Sequence, residues 1–484
     1  MVVIVDPYGE LDRRILGEVY GSTETMENIV ILCDEYGSRW PGSGDDLAAC
    51  EYMVGKREEY SLESSHLERF THPGWIRGSS TLTVVEPVER EIPCIALPMS
   101  CRGEAEADLV FLGDGPVDVY EKRKEEIEGS IVIVTSRTPL GMTRALHRSE
   151  KYQRSVLAGA SGWIFMNHYP AYGPPTGGIS PIIPAVGVSY EDGHYLARLL
   201  KRKGRVRVRV ETDCENLDVE TWNVVADLPG SGEDNELLVY GAHYEGHDIA
   251  VGALDDATGA ACVMEVARVL SKEREHLKRP MRFLLFGSEE IGLLGSRAYV
   301  DQHPEELERI RFMLNFDAAG RAGRQGFNLC GHPELEPLFH GIAEAIGVDI
   351  PVWQSVSPYS DHWPFLLKGV PTGRMGDPVE ARRRGGRGFG HTMHDTVDKA
   401  DLRAQRECVA NSAIAAVRIA NADDWPAKHR SKEEIDALVQ RMGYGETVAL
   451  GGRVKDYLSA RRGQLRPETK VWLERMKASW DEVL

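Results

Sequence analysis

Between residues 237 and 270 the spacing of apolar positions changes character. Leu237 to Tyr240 form a continuous apolar run that ends at His243, with Glu245 two residues on. A glycine-rich polar loop leads to Asp255 and Asp256. Beyond it Ala260, Val263, Met264, Ala267 and Leu270 recur at intervals of three and four. A short continuous run reads as a buried strand, and the 3/4 recurrence as the buried face of a helix. The stretch is therefore a strand–loop–helix unit with an imidazole and several carboxylates in its loop. Two more strand-like runs follow, Met281 to Phe286 leading at once to Glu289 and Glu290, and Phe312 to Phe316 ending at Asp317.

The same patterning divides the chain. Residues 1–90 open with helical periodicity, pass through GSRWPGSGDD (37–46) into a helix near Leu47 to Gly55, and reach a strand, TLTVVEPV, at 81–88. From 91 to 213 the texture becomes short β runs, among them IVIVT (131–135) and WIFM (163–166), with one helical segment around Glu150 to Leu157. RVRVRV (205–210) alternates strictly and predicts a half-exposed strand with solvated arginines. Strand–helix alternation returns at 214–425 and closes on a long helix from about Leu402 to Ala420. The tail, 426–484, has a Ser431/Glu434 capping box before one helix. A second helix carries Trp472, Met476 and Trp480 at i, i+4, i+8. That stripe docks either on the body of the protein or on a second copy, giving a homodimer through the C-terminal helices. The predicted fold is α/β, a mixed and mostly parallel sheet sandwiched by helices, built from 1–90 and 214–425. An inserted β-rich domain occupies 91–213, and 426–484 is a helical extension.

Composition narrows the function. A chain of 484 residues exceeds what one core usually supports. A formal net charge of −18 argues against a general nucleic-acid or anionic-membrane surface. No apolar run reaches membrane-spanning length, and the apolar start of MVVIVDPYGELDRR is too short for a signal peptide. The eight cysteines contain no CxxC pair and read as small core residues. A cytoplasmic protein with free thiols is expected.

Three strands thus carry acids or a histidine just past their carboxyl ends, the edge where open, mostly parallel sheets bind ligands. Carboxylates there are costly to desolvate unless paired or coordinated, and His with Asp and Glu is a zinc ligand set. A metal site is the favoured reading. Further candidates lie in YSDHWPFLLKG (359–369), with Asp361 and His362, and in RRRGGRGFGHTMHDTVDKAD (382–401), with His391, His394 and Asp395. For His247, Asp248, His362 and His394 a structural or pocket-lining role ranks above ligation. Arg382, Arg383, Arg384 and Arg387 are candidates to hold a substrate carboxylate, against the alternative of a solvated basic loop.

HYE…GALDDATG, GSEEIGLLGS, NFDAAG, YSDH and HTMHDT, in that order, resemble the co-catalytic zinc peptidases of the aminopeptidase Y and glutamate carboxypeptidase (carboxypeptidase Q) type. The 91–213 block, with IPAVGVSYEDG near its end, resembles their inserted protease-associated domain. GSRWPGS and HPGWIRG (72–78) resemble the carboxypeptidase Q branch. The resemblance covers roughly 30–420. It implies two Zn2+ per chain, with Co2+ or Mn2+ as alternatives. Asp255 would bridge the ions, His243 and Asp317 would complete one site, and Glu290 and His391 the other. Glu289 would be the general base beside a metal-bridging hydroxide. Asp256 is better suited to capping the following helix. Where the family usually has an aspartate to orient the first histidine, this chain has Glu245, a catalytic-site residue of altered reach.

The activity implied is exopeptidase hydrolysis of short peptides, of aminopeptidase or dipeptidase/carboxypeptidase type. The same machinery would serve a non-peptide amide such as an N-acyl or N-carbamoyl amino acid. A non-catalytic binding protein is disfavoured because every ligand position is filled. A glutaminyl cyclase-like transferase fits the inserted domain and the two-metal set less well.

Overall fold

The computed structural model describes residues 7–142, 144–232, 235–317, 319–378 and 388–481, with side chains to residue 474. The chain forms two compact units. The first comprises 1–70, 220–390 and 395–439, and the second 71–219, 391–394 and 440–484. Arg382, Arg383, Arg384 and Arg387 lie outside the described residues.

An eight-stranded sheet runs through the first unit. Its strands are β1 (Glu63–Ile76), β2 (Glu215–Leu228), β3 (Leu237–His243), β4 (Met281–Phe286), β5 (Ile310–Asn315), β6 (Gly326–Asn328), β7 (Val352–Trp353) and β8 (Thr372–Gly376). Their spatial order is β1-β2-β4-β3-β5-β8-β6-β7. The central β4, β3, β5 and β8 are mutually parallel, and β2 and β6 pair antiparallel at either side. Every residue of β3 and β5 is buried, as expected of strands covered on both faces.

Helix α1 (Gly44–Glu59) is capped by Ser43, whose Oγ accepts the Asp46 N–H at 3.3 Å. Helix α2 (Thr258–Ser271) exposes almost nothing and packs against α3 (Leu402–Asn421). Alanines and small apolar residues dominate both, allowing close approach. In the tail, Ser431 N–H donates to Glu434 at 2.8 Å while Glu434 N–H donates to Ser431 Oγ at 3.3 Å, the reciprocal capping box.

The second unit holds another eight-stranded sheet, including Ile131–Thr135, Gly162–Met166 and Arg207–Thr212. The arginines of the alternating strand are ion-paired: Arg207 and Arg209 share Glu106 at 2.7 and 2.6 Å. The tail contributes a helix that the sequence pattern did not single out, Gly445–Ala460, whose Leu450, Val454 and Leu458 are buried. Trp472 and Leu473 of the last helix are also buried, so that part of the stripe is already covered within one chain. Among the described residues no helix is long and apolar enough to cross a membrane.

Candidate metal centre

Parallel register brings the chemistry-bearing strand ends to one level. His243 pairs with Phe286, Gly241 with Asn315, and Asn315 with Arg374. The ladder continues one step past the strands, with Tyr244 N–H donating to Phe286 O at 3.1 Å and Phe316 N–H to Gly241 O at 2.8 Å. The loops carrying Glu245, Glu289 and Asp317 therefore leave the sheet together. After β4 the backbone turns at buried Ser288 with φ 61, a region few non-glycine residues adopt. Glu289 and Glu290 follow that turn.

His243, Asp255 and Asp317 converge in the first unit, with one donor atom from each within 4.8 Å of the others, and all three are buried. His243 Nδ1 lies 3.0 Å from the Glu245 carbonyl oxygen. That leaves Nε2 facing inward, 3.5 Å from Asp255 Oδ1 and making no hydrogen bond. Asp317 Oδ2 accepts Ser360 Oγ–H at 2.9 Å, and Ser360 accepts from Asn315 Nδ2 at 2.6 Å. The Asp255 loop is held from outside, because Asp395 accepts the N–H groups of Leu254 and Asp255 at 2.7 and 3.1 Å. Asp256 Oδ1 accepts the Gly259 N–H at 3.2 Å. It serves the first turn of α2, as its sequence position suggested.

Glu245 does more than stand in for a shorter acid. Its backbone carbonyl orients His243, while its carboxylate reaches across to accept the Glu290 N–H at 3.1 Å. The same carboxylate remains 3.6 Å from His243 Nδ1. The extra methylene thus lets one residue tie the β3 and β4 loops together. Glu290 Oε2 lies 3.0 Å from His247 Nε2, both residues buried. His391 belongs to the second unit, where its Nδ1 lies 3.2 Å from Thr176 O and 3.4 Å from Arg148. Its φ of 61 shows that the surrounding fold, not local preference, fixes its place. His394 lies in the same segment, its N–H donating to Thr392 Oγ1 at 3.3 Å.

The electrostatics are those of a cation site. Burial pushes Glu289 well up; His243 opposes this, and Glu290, Asp317 and Asp361 add to it. Burial likewise raises Asp361 to about 7, against a hydrogen bond of 2.5 Å from Ser296. His362, next along the chain, is pulled well below its ordinary value by burial and by Arg374. Arg321 Nη2 touches two ligand candidates at once, Asp255 Oδ1 at 2.6 Å and Asp317 Oδ1 at 3.2 Å. A buried, inward-facing imidazole nitrogen amid carboxylates of His/Asp/Glu type fits a zinc-class ion in ligand chemistry and spacing.

Sequence reasoning ranked His247 as pocket-lining and assigned no role to Asp395, Ser360 or Arg321. Asp395 and Ser360 sat inside the HTMHDT and YSDH motifs, so a signal existed. Arg321, four residues after Asp317, carried none.

Residues 223–416 match peptidase family M28, and residues 103–196 match the PA domain. Carboxypeptidase Q from Xenopus laevis is 22% identical over 435 residues, spanning 87% of this chain and 91% of that protein. The peptidase M28 precursor from Shewanella amazonensis SB2B has a similar fold (TM-score 0.73, 23% identity, 87% of this chain and 99% of that one). So does BSAP, a zinc aminopeptidase from Bacillus subtilis (TM-score 0.64, 23% identity, 84% and 97%).

Proposed function

We propose, from a chain whose residues 223–416 form a family M28 peptidase domain with a PA domain set before it, that this protein is a zinc-dependent exopeptidase. It would hydrolyse the terminal peptide bond of short peptides. The observation that carries this reading is the convergence of His243 and Asp255, at the end of β3 and in the loop after it, with Asp317 from the loop after β5, at one sheet edge, with His243 Nε2 turned inward.

In this reading two ions would be held per chain: Asp255 would serve both, His243 and Asp317 one, and Glu290 and His391 the other. Zinc when bound acts as a Lewis acid on the scissile carbonyl and lowers the pKa of water towards about 7. Glu289 takes the proton from the attacking water and delivers it to the leaving amine, the work of a general acid–base group. The backbone of its neighbour Glu290 is fixed by Glu245, whose carboxylate accepts the Glu290 N–H. Glu245 is a positioning residue that orients His243 through its carbonyl and Glu290 through its carboxylate. Ser360 and Asp395 fix Asp317 and the Asp255 loop in the same sense.

The eight cysteines, thiols in the structure and seven of them buried, support cytoplasmic residence. A homodimer through the tail would have to use surface other than the buried Trp472 and Leu473. The test is elemental analysis of the purified chain together with a screen of aminoacyl-anilides, dipeptides and N-acyl amino acids. Close to two zinc-class ions and hydrolysis of peptides are expected. Full activity with at most one ion removes the two-ion assignment, and exclusive hydrolysis of N-acyl amino acids removes the peptidase.

A further inference from the structure

We propose that His247 is a protein ligand of this centre, binding the same ion as Glu290. The proposal rests on the metallopeptidase reading above and adds a residue to the ligand set that the family resemblance assigns. His247 Nε2 stands 3.0 Å from Glu290 Oε2, and both side chains are buried. Zinc lies about 2.0–2.2 Å from its nitrogen and oxygen donors, so two donors sharing an ion stand from about 2.8 Å apart at a right angle, as in five-coordination, to about 3.5 Å at the tetrahedral angle. The observed separation falls within that range.

What makes His247 a built ligand is the way its loop is held. Arg39, fully buried, threads its guanidinium through the loop that carries it. Nε donates to Tyr244 O at 2.6 Å, Nη1 to Val251 O at 2.9 Å, and Nη2 to Gly252 O at 3.1 Å. A further Nη1 bond to Leu32 O, 2.9 Å, anchors the arginine to the helix behind. Both ends of the 244–252 loop are thereby tied to one side chain. The loop also closes on itself: a Cβ on Gly246 would meet Gly252 Cα at 2.6 Å, so the two backbones meet where only glycine fits. Gly246 N–H donates to Ser38 O at 2.8 Å. Trp40 then stacks on the imidazole, ring centroids 5.8 Å apart and planes 30° from parallel, setting the ring's orientation. Arg39 and Trp40 both belong to the GSRWPGS segment, which thus acquires a role: it pre-organises a histidine. Ligands held before the ion arrives are what a tight site requires.

A second imidazole beside Glu290 gives that ion a nitrogen-rich environment suited to zinc or cobalt over manganese. A hydrogen bond from Nε2–H to Glu290 would also span 3.0 Å, and the experiment separates the two. His247→Gln places an amide N–H near the Nε2 position, preserving donation to Glu290 but removing a good ligand. Loss of an outer-sphere partner costs about 10–100-fold in metal affinity. Zinc affinity is measured by chelator competition on the full-length protein. The expected result is that His247→Gln weakens the second ion by more than about 100-fold and leaves the first unchanged. Second-ion affinity within that limit overturns the proposal. X-ray absorption at the zinc edge of the fully loaded wild-type protein decides the matter even if the variant does not fold. Three imidazoles over two ions give about 1.5 per zinc, whereas His243 and His391 alone give about 1, which also overturns it. A wild-type chain that binds no zinc fails the metallopeptidase reading itself, whereas zinc binding with an unaffected variant fails only the assignment of His247.

Discussion

Arg321 places a fixed positive charge on oxygens that the proposed ions would need. Its Nη2 lies 2.6 Å from Asp255 Oδ1 and 3.2 Å from Asp317 Oδ1, and its side chain is 14% exposed. Burial pulls the guanidinium down, but Asp255 and Asp317 outweigh it and keep it charged. In the ion-free protein this cation neutralises two buried carboxylates. Removing one partner of a buried pair costs about 3–5 kcal/mol. Arg374 remains 3.7 Å from Asp317 Oδ2, which puts Arg321→Ala near the lower end, about 3 kcal/mol. At about 2 °C per kcal/mol for a unit of this size, Tm in the presence of chelator falls by about 6 °C. Zinc affinity moves the other way. Binding no longer displaces a resident cation, so up to the same 3 kcal/mol returns as about 100-fold tighter binding. Thermal melts with chelator and with saturating zinc, alongside competition titrations, measure both. The zinc-loaded Tm of the variant should approach that of the wild type. If the ion-free Tm is unchanged, or zinc binds more weakly, Arg321 organises the loaded site and does not compete with zinc for it.

Glu289→Gln should lower kcat by about 10²–10⁴-fold with both ions retained, whereas Glu290→Gln should lose one ion; kinetics with elemental analysis shows whether these roles are reversed. Burial raises the Asp46 carboxyl to about 7 in the folded chain, despite hydrogen bonds from Tyr244 and Gly42. Folding therefore binds a proton, and stability falls as pH rises from about 4 towards about 7. Asp46→Asn should gain up to about 4 kcal/mol over wild type above pH 7 and nothing near pH 4; melts showing a pH-independent difference would refute this. Truncation after residue 439 uncovers the partners of Leu450, Val454, Leu458, Trp472 and Leu473 and should yield an aggregating protein in light scattering. A soluble truncated chain with unchanged Tm would show that the tail is dispensable.

The fold was legible wherever burial imposed a period. The continuous runs Leu237 to Tyr240 and Met281 to Phe286 lie in adjacent parallel strands buried throughout except at Arg282, and the 3/4 spacing of 260–270 marked α2. The tail helix Gly445–Ala460 escaped notice because its sequence mixes glycine, charge and only three spaced aliphatic anchors, Leu450, Val454 and Leu458. Its contacts with the Arg148–Leu157 helix come from far away in sequence, and no local pattern reports that.

The site divides along the same line. Ligand candidates were legible because a carboxylate or imidazole immediately after a buried strand has few alternatives to coordination. The residues that support them are set by tertiary contacts. Glu245 was suspect because only its distance from His243 could be weighed, whereas the structure gives it a second duty on Glu290, 45 positions later. Asp395 acts on a loop 140 residues before it, and Arg39 acts on a loop some 205 residues after it. Such residues obey no period and share no motif with what they hold. Their signature is a buried charged side chain whose bonds go to the backbone of another segment. Arg39, with its guanidinium spent on carbonyl oxygens, and Asp395, with its carboxylate spent on N–H groups, are of that kind. So the residue types of this candidate centre are set by local sequence, while the contacts that hold them in place are set only by the folded chain.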